Sequence, residues 1–161
     1  AERAAAALGL LAAVAAHAEG GAHLLRAPAL GGLMDCVLDV LAAVRGLEAT
    51  LAGLALLRNL AVWPDNTSHF TSSPRALPCL AAATEAGARV PQATAYAASA
   101  LGALCYHEQR AKAALRKMGG LPGRLAALGE ELAAAEGEGG DRSEGRRYVQ
   151  PARQALCVLE E

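Results

Sequence analysis

Few side chains in this chain of 161 residues could do chemistry, so their spacing decides what they can do. A metal site needs cysteines and histidines paired closely or placed at i and i+4 on one helix face. The one close pair, Cys105 and His107, is two residues apart, and on a helix such residues point in different directions. Cys36, Cys79 and Cys157 have no histidine at ligand spacing. No Gly-x-Ser-x-Gly turn presents a serine nucleophile, and no cysteine has a recognisable base beside it. The Gly-Gly pairs at 20–21, 31–32, 119–120 and 139–140 lead into no Gly-Lys-Ser/Thr phosphate cradle. The expectation is a non-enzymatic chain without a metal or cofactor. Its informative polar and aromatic residues, Arg45, Arg58, Asn59, Trp63 and Tyr106, are of the types that anchor protein interfaces.

Composition narrows the partner. Lys+Arg 15 against Asp+Glu 16 gives a net charge of -1, too little field to attract nucleic acid or an anionic membrane. His17, Glu19, Arg26, Asp35 and Asp39 interrupt the most apolar third, so no stretch reaches the ~20 apolar residues of a membrane span, and a soluble protein is expected. The alanine-rich opening, Ala4 to Ala16, reads as a helix of the fold rather than a secretory segment. Widely spaced cysteines in apolar patterns read as reduced, cytosolic thiols packed as small hydrophobes. Asn66-Thr67-Ser68 matches a glycosylation acceptor by coincidence on that view. The basic clusters Arg110, Lys112, Arg116, Lys117 and Arg142, Arg146, Arg147 have Glu108, Glu130, Glu131, Glu136 and Glu138 nearby in sequence and read as solvated faces.

The positioning elements are helices. Apolar residues make up 53% and aromatics 3%, so Ala and Leu, the strongest helix formers, must fill the core. Helices are predicted at 2–18, 20–26, 30–45, 47–62, 66–72, 75–86, 91–106, 108–117, 121–136 and 147–160, in a single domain over 1–161. Pro74, Pro91 and Pro151 read as helix starts, Gly46, Gly87 and Gly119-Gly120 as stops, and Asn66-Thr67-Ser68 as N-cap candidates. The charged, glycine-rich stretch 136–146 has nothing to bury and reads as a mobile loop. Leu60 and Leu104 are 44 residues apart, as are Leu77-Pro78 and Leu121-Pro122, which is within the ~40–47 residues of a HEAT or armadillo unit. About three units fit the chain.

The run Leu57-Arg58-Asn59-Leu60-Ala61, followed by Leu77-Pro78, resembles an armadillo repeat, and Leu101-Gly102-Ala103-Leu104-Cys105 with Gly119-Gly120-Leu121-Pro122 resembles the next. The resemblance implies an all-α, armadillo/HEAT-like right-handed helical repeat stack, an α-solenoid. From about Thr50 to Glu161 the chain is similar to the carboxy-terminal armadillo region of the rotatin family, on Leu56-Leu57-Arg58-Asn59-Leu60, on Ala103 to Arg116, and on a Tyr-led last helix from Tyr148. That implies a protein-interaction scaffold in centriole or basal-body assembly and ciliary function, cytoplasmic and located at the centriole, centrosome or cilium basal body. An armadillo-type adaptor in trafficking or ubiquitin-linked regulation is the alternative.

In armadillo repeats that bind extended peptides, an Asn at the position of Asn59 recurs in successive units. Here the next such position is Ala103, so the ladder is broken and Asn59 is expected to cap or cross-link its own turn. The expected partner surface is the third-helix face with Arg45, Arg58, Asn59 and Tyr106. Arg58 and Tyr106 are expected on one concave strip that receives a helix or extended segment of a centriolar protein. Trp63 is expected to pack on the core or to anchor the partner.

Overall fold

Alanine and leucine have the highest helix propensities, and here they leave no stretch with the β-branched or aromatic density of a strand. The computed structural model describes residues 2–26, 32–43, 46–137 and 142–160, and their regular structure is all helical. In chain order these residues form α1 (Glu2–Ala15), α2 (Ala18–His23), α3 (Leu33–Ala43), α4 (Leu47–Ala61), α5 (Thr67–Ser72), α6 (Ala76–Ala83), α7 (Pro91–His107), α8 (Gln109–Lys117), α9 (Leu121–Gly137) and α10 (Arg142–Glu160). Short 3-10 segments stand at Pro64–Asn66 and Thr84–Arg89.

Helix α1 packs along α4, α4 along α7, and α7 along α10, while α3, α6 and α9 pack against this row. The 44-residue spacing thus becomes a side-by-side relation between α4 and α7. Small residues line the row: Ala15, Ala61, Ala97, Ala98, Ala100, Ala152 and Ala155 are fully buried. Leu56, Leu57, Leu60, Leu101 and Leu104 fill the space behind them. Contact between α7 and α10 is close at Gly102, where an added Cβ would lie 3.3 Å from Ala155 Cα and press on α10.

Helix ends follow local chemistry in part. Pro91 opens α7, and Gly120, at φ 81, turns the chain from α8 into α9. Gly46 is not a stop: it is extended, at φ -131, and precedes α4 as its N-cap. Asn66 makes no side-chain cap bond, because its amide is used across the fold. Pro151 is no helix start and lies inside α10. The interior position costs about 3 kcal/mol, and the buried Ala152, Ala155 and Leu159 that follow supply the packing that outweighs it.

The expected loop at 136–146 is largely helix, with α9 running to Gly137 and α10 beginning at Arg142, while 138–141 lie outside the described residues. Once packed turns have nucleated a helix, each added residue gains a hydrogen bond even where it buries nothing. The expected start of a helix at 30 and the candidate Arg45 also lie outside the described residues.

Replacing Leu60 or Leu104 by Ala should cost about 2–5 kcal/mol in denaturant unfolding, as for other fully buried leucines. The exposed Leu47→Ala should stay within about 0.5 kcal/mol of the parent.

Candidate partner-binding groove

Arg58 and Asn59 on α4 have their 44-residue counterparts in Gly102 and Ala103 on α7. Long side chains fill the surface at the first position, whereas small ones leave it open at the second. The result is a groove of about 430 Å³ with Ser99, Gly102 and Ala103 along α7. Tyr106, His107 and Val62 bound one side, and Pro151, Gln154 and Val158 of α10 the other. None of these residues carries a fixed charge. Tyr106 is 77% exposed and meets the His107 ring edge-on, with centroids 5.4 Å apart. His107 Nε2 lies 3.0 Å from the Val62 carbonyl, and the tautomer protonated there donates to it.

Tyr106 is therefore the one anchor among the sequence candidates that lines the groove. Arg58 is not on a strip with it. The Arg58 guanidinium lies 4.9 Å over the Tyr96 ring and donates from Nε and Nη2 to Asn59 Oδ1 at 3.0 and 2.6 Å. Asn59 is cross-linked within its own turn through these bonds to its Oδ1, and its Nδ2 also reaches outside the turn, donating to the Ala12 carbonyl of α1 at 2.8 Å. Trp63 is half-buried and donates from Nε1 to the Ala15 carbonyl at 3.3 Å. Its indole occupies the space a Cβ on Gly21 would need. Arg58, Asn59 and Trp63 thus tie α4 to its neighbours and do not line the groove. One period separates Trp63 from His107, and each reaches the end of the preceding helix of the row.

Other polar groups are similarly committed. Asn66, fully buried, donates to the Gly21 and Leu60 carbonyls at 2.6 and 3.1 Å, so this amide is inaccessible to glycosylation in the folded chain. The basic cluster on α8 is not one solvated face. Lys112 is buried, and Arg116 Nε donates to the Leu159 carbonyl at 2.7 Å, capping the end of α10. Arg110 and Lys117 are exposed. The side chains of Arg142, Arg146 and Arg147, and that of Tyr148, lie outside the described residues.

Cysteine packing splits by position: Cys105 is buried and Cys79 half-buried, but Cys36 and Cys157 are exposed, because they occupy the outward turns of α3 and α10. Burial pushes the Cys105 thiol up to about 11 against the opposing pull of Lys112 and Arg116. Burial raises Cys79 too, with Arg75 opposing. Among the described residues, no group of three His, Cys, Asp or Glu could hold a metal ion, and no helix is long and apolar enough to cross a membrane.

No family model matches the chain, and no curated protein or solved structure matches it. Sequence reasoning missed Pro151, Gln154 and Val158 because α10 has no clear copy of the repeat motif. The change from Arg58-Asn59 to Gly102-Ala103 was the signal that could have located the groove.

Iodoacetamide at pH 8 should label exposed Cys36 readily and Cys105 only on unfolding. The unfolded Cys105 thiol ionises near 9, while the folded one stays protonated to about 11. Stability should therefore fall by about 1–3 kcal/mol as pH rises from 9 to 11, and Cys105→Ala should remove that part of the slope in pH-dependent unfolding.

Proposed function

We propose that the chain is a non-enzymatic protein-interaction scaffold of the armadillo type, whose α7–α10 groove receives an uncharged segment of another protein. The observation that carries this reading is the groove itself: uncharged, floored by Gly102 and Ala103, and flanked by Tyr106 at 77% exposure. A tyrosine in that setting offers apolar area and a hydroxyl at low entropic cost. A charged partner side chain would lose hydration there without finding a countercharge. Ser99 and Gln154 supply the hydroxyl and amide that a bound main chain can use.

The side-by-side row of α4 and α7 at the 44-residue period supports a right-handed repeat stack of HEAT or armadillo kind. The sequence resemblance of 50–161 to the rotatin family supports a cytoplasmic role at the centriole or basal body, in ciliary assembly.

Proximity labelling with the tagged chain tests this reading: centriolar neighbours are expected, and vesicle or proteasome neighbours instead would overturn the centriolar role. Tyr106→Ala should weaken binding to a partner so identified by about 2 kcal/mol or more, with little effect on stability. Exposed Arg110→Ala serves as the control. If the control abolishes binding and Tyr106→Ala does not change it, the groove is not the docking face.

A further inference from the structure

Arg58 is the only Lys or Arg on α4, and α7 carries no Lys, Arg, Asp or Glu. Its guanidinium is held on two sides. Asn59 Oδ1 accepts from Nε and Nη2 and so occupies the side edge, while the Tyr96 ring centroid lies 4.9 Å from Cζ and covers one face. Both holders are themselves fixed. Asn59 Nδ2 donates to the Ala12 carbonyl at 2.8 Å, and Gln92 Nε2 donates to Tyr96 Oη at 2.8 Å. What remains is the end-on edge: Nη1 and the second N–H of Nη2 have no hydrogen-bond partner among the described residues, and Arg58 has no ion pair among them. Two parallel N–H groups at that edge match the two oxygens of a carboxylate. Arg58 is half-buried, and it has given up hydration and rotamer freedom that an incoming anion would compensate.

Arg58 does not line the α7–α10 groove but stands beyond its Ser99 end. Gln92, Tyr96, Ser99, Ala103 and Tyr106 recur every three or four residues along α7 and none is buried, so they share its open face. On α4, Arg58 precedes Val62, another groove residue, by one turn. We infer that the open edge of Arg58 binds a carboxylate, an Asp or Glu side chain borne by the same extended segment that the groove receives; the inference rests on that groove as the docking face. Charge selects the occupant. The groove residues carry no fixed charge, so the acid must lie outside the uncharged stretch, where Arg58 stands. One planar cation suits a monoanion, whereas a phosphate dianion calls for a second cation, which neither α4 nor α7 supplies. The segment is extended because only such a main chain has N–H and C=O groups free to meet Ser99 and Gln154. From Tyr96 to Tyr106 is about 15 Å along the helix, and an extended chain rises about 3.3 Å per residue. The acid is therefore about four or five residues from the one that packs on Tyr106.

The test begins with a phage-displayed library of random dodecapeptides panned on the intact chain, the enriched sequences then being made as capped fluorescent peptides. Enriched peptides should carry Asp or Glu about four or five residues from an apolar or aromatic residue. Enrichment without an acid would overturn the inference. Changing that acid to its amide should weaken binding about tenfold or more, as should Arg58→Gln, and the two changes together should cost no more than either alone. A peptide indifferent to its acid, or losses that simply multiply, would show that the acid and Arg58 do not meet. The peptide change leaves the chain intact, so this arm reads the pairing even if Arg58→Gln lowers stability by releasing Asn59 and Tyr96. Phosphoserine in place of the acid should bind no more tightly, and a gain above about tenfold would assign a phosphate and overturn the carboxylate. Tyr106→Ala separates this inference from the groove reading. If it weakens the same peptides and Arg58→Gln does not, the groove stands and the carboxylate site falls. If only Arg58→Gln acts, the carboxylate site stands and the groove is not the docking face. No enrichment at all would overturn both.

Discussion

Close approach of alanine-lined helices is the contact on which the rest of this structure depends. With few aromatic side chains to span a wide interior, the helices of the row must come near enough for Ala97, Ala98, Ala100, Ala152 and Ala155 to touch the facing backbone. Dispersion then comes from many short contacts, and any enlargement at Gly102 is felt at once by α10. Surfaces this smooth give little purchase on register, because one alanine fits much like the next. Register is supplied by polar clamps: Asn59 on the Ala12 carbonyl, Trp63 on the Ala15 carbonyl, and His107 on the Val62 carbonyl. Each clamp reaches the last turn of the preceding helix, where carbonyls have no intrahelical donor or share one.

The groove follows from the same economy of side-chain size. Where α4 places Arg58 and Asn59 on its surface, the pair is absorbed by Tyr96 and by α1. Where α7 places Gly102 and Ala103, nothing reaches out, and a groove stays open on the surface beside the α7–α10 contact. On the proposed reading, a partner would be held there by shape, one exposed tyrosine and an amide from the neighbouring helix.

Polar groups inside the chain are concentrated at helix ends. Asn66 joins the end of α4 to α2 through two carbonyls, and Arg116 closes α10. Between them, Cys105 is kept neutral by burial in spite of two nearby cations, which fits a packing role for a small hydrophobe. The buried Asn66 amide nitrogen finds two backbone acceptors, whereas the buried Thr67 Oγ1 and Arg124 Nε find no hydrogen-bond partner among the described residues.

The sequence by itself determined the helical class and the 44-residue spacing, because propensity and recurrence are written in residue types, while several helix ends, at Gly46, Asn66 and Pro151 and over 136–146, were decided by packing. It also showed the change from Arg58-Asn59 to Gly102-Ala103 one period on. It did not determine what Arg58, Asn59 and Trp63 would do, since each acts on a backbone carbonyl or an aromatic ring in another helix, 38 to 48 residues away. A sequence pattern records that a side chain is long or polar but not which group the fold brings to it. For that reason Tyr106 kept its place at the candidate site while its expected companion Arg58 did not, and Pro151 became a groove wall inside a helix instead of the start of one. Tertiary packing alone decided those outcomes, by the close approach of smooth helices and by the accessible carbonyls at their ends.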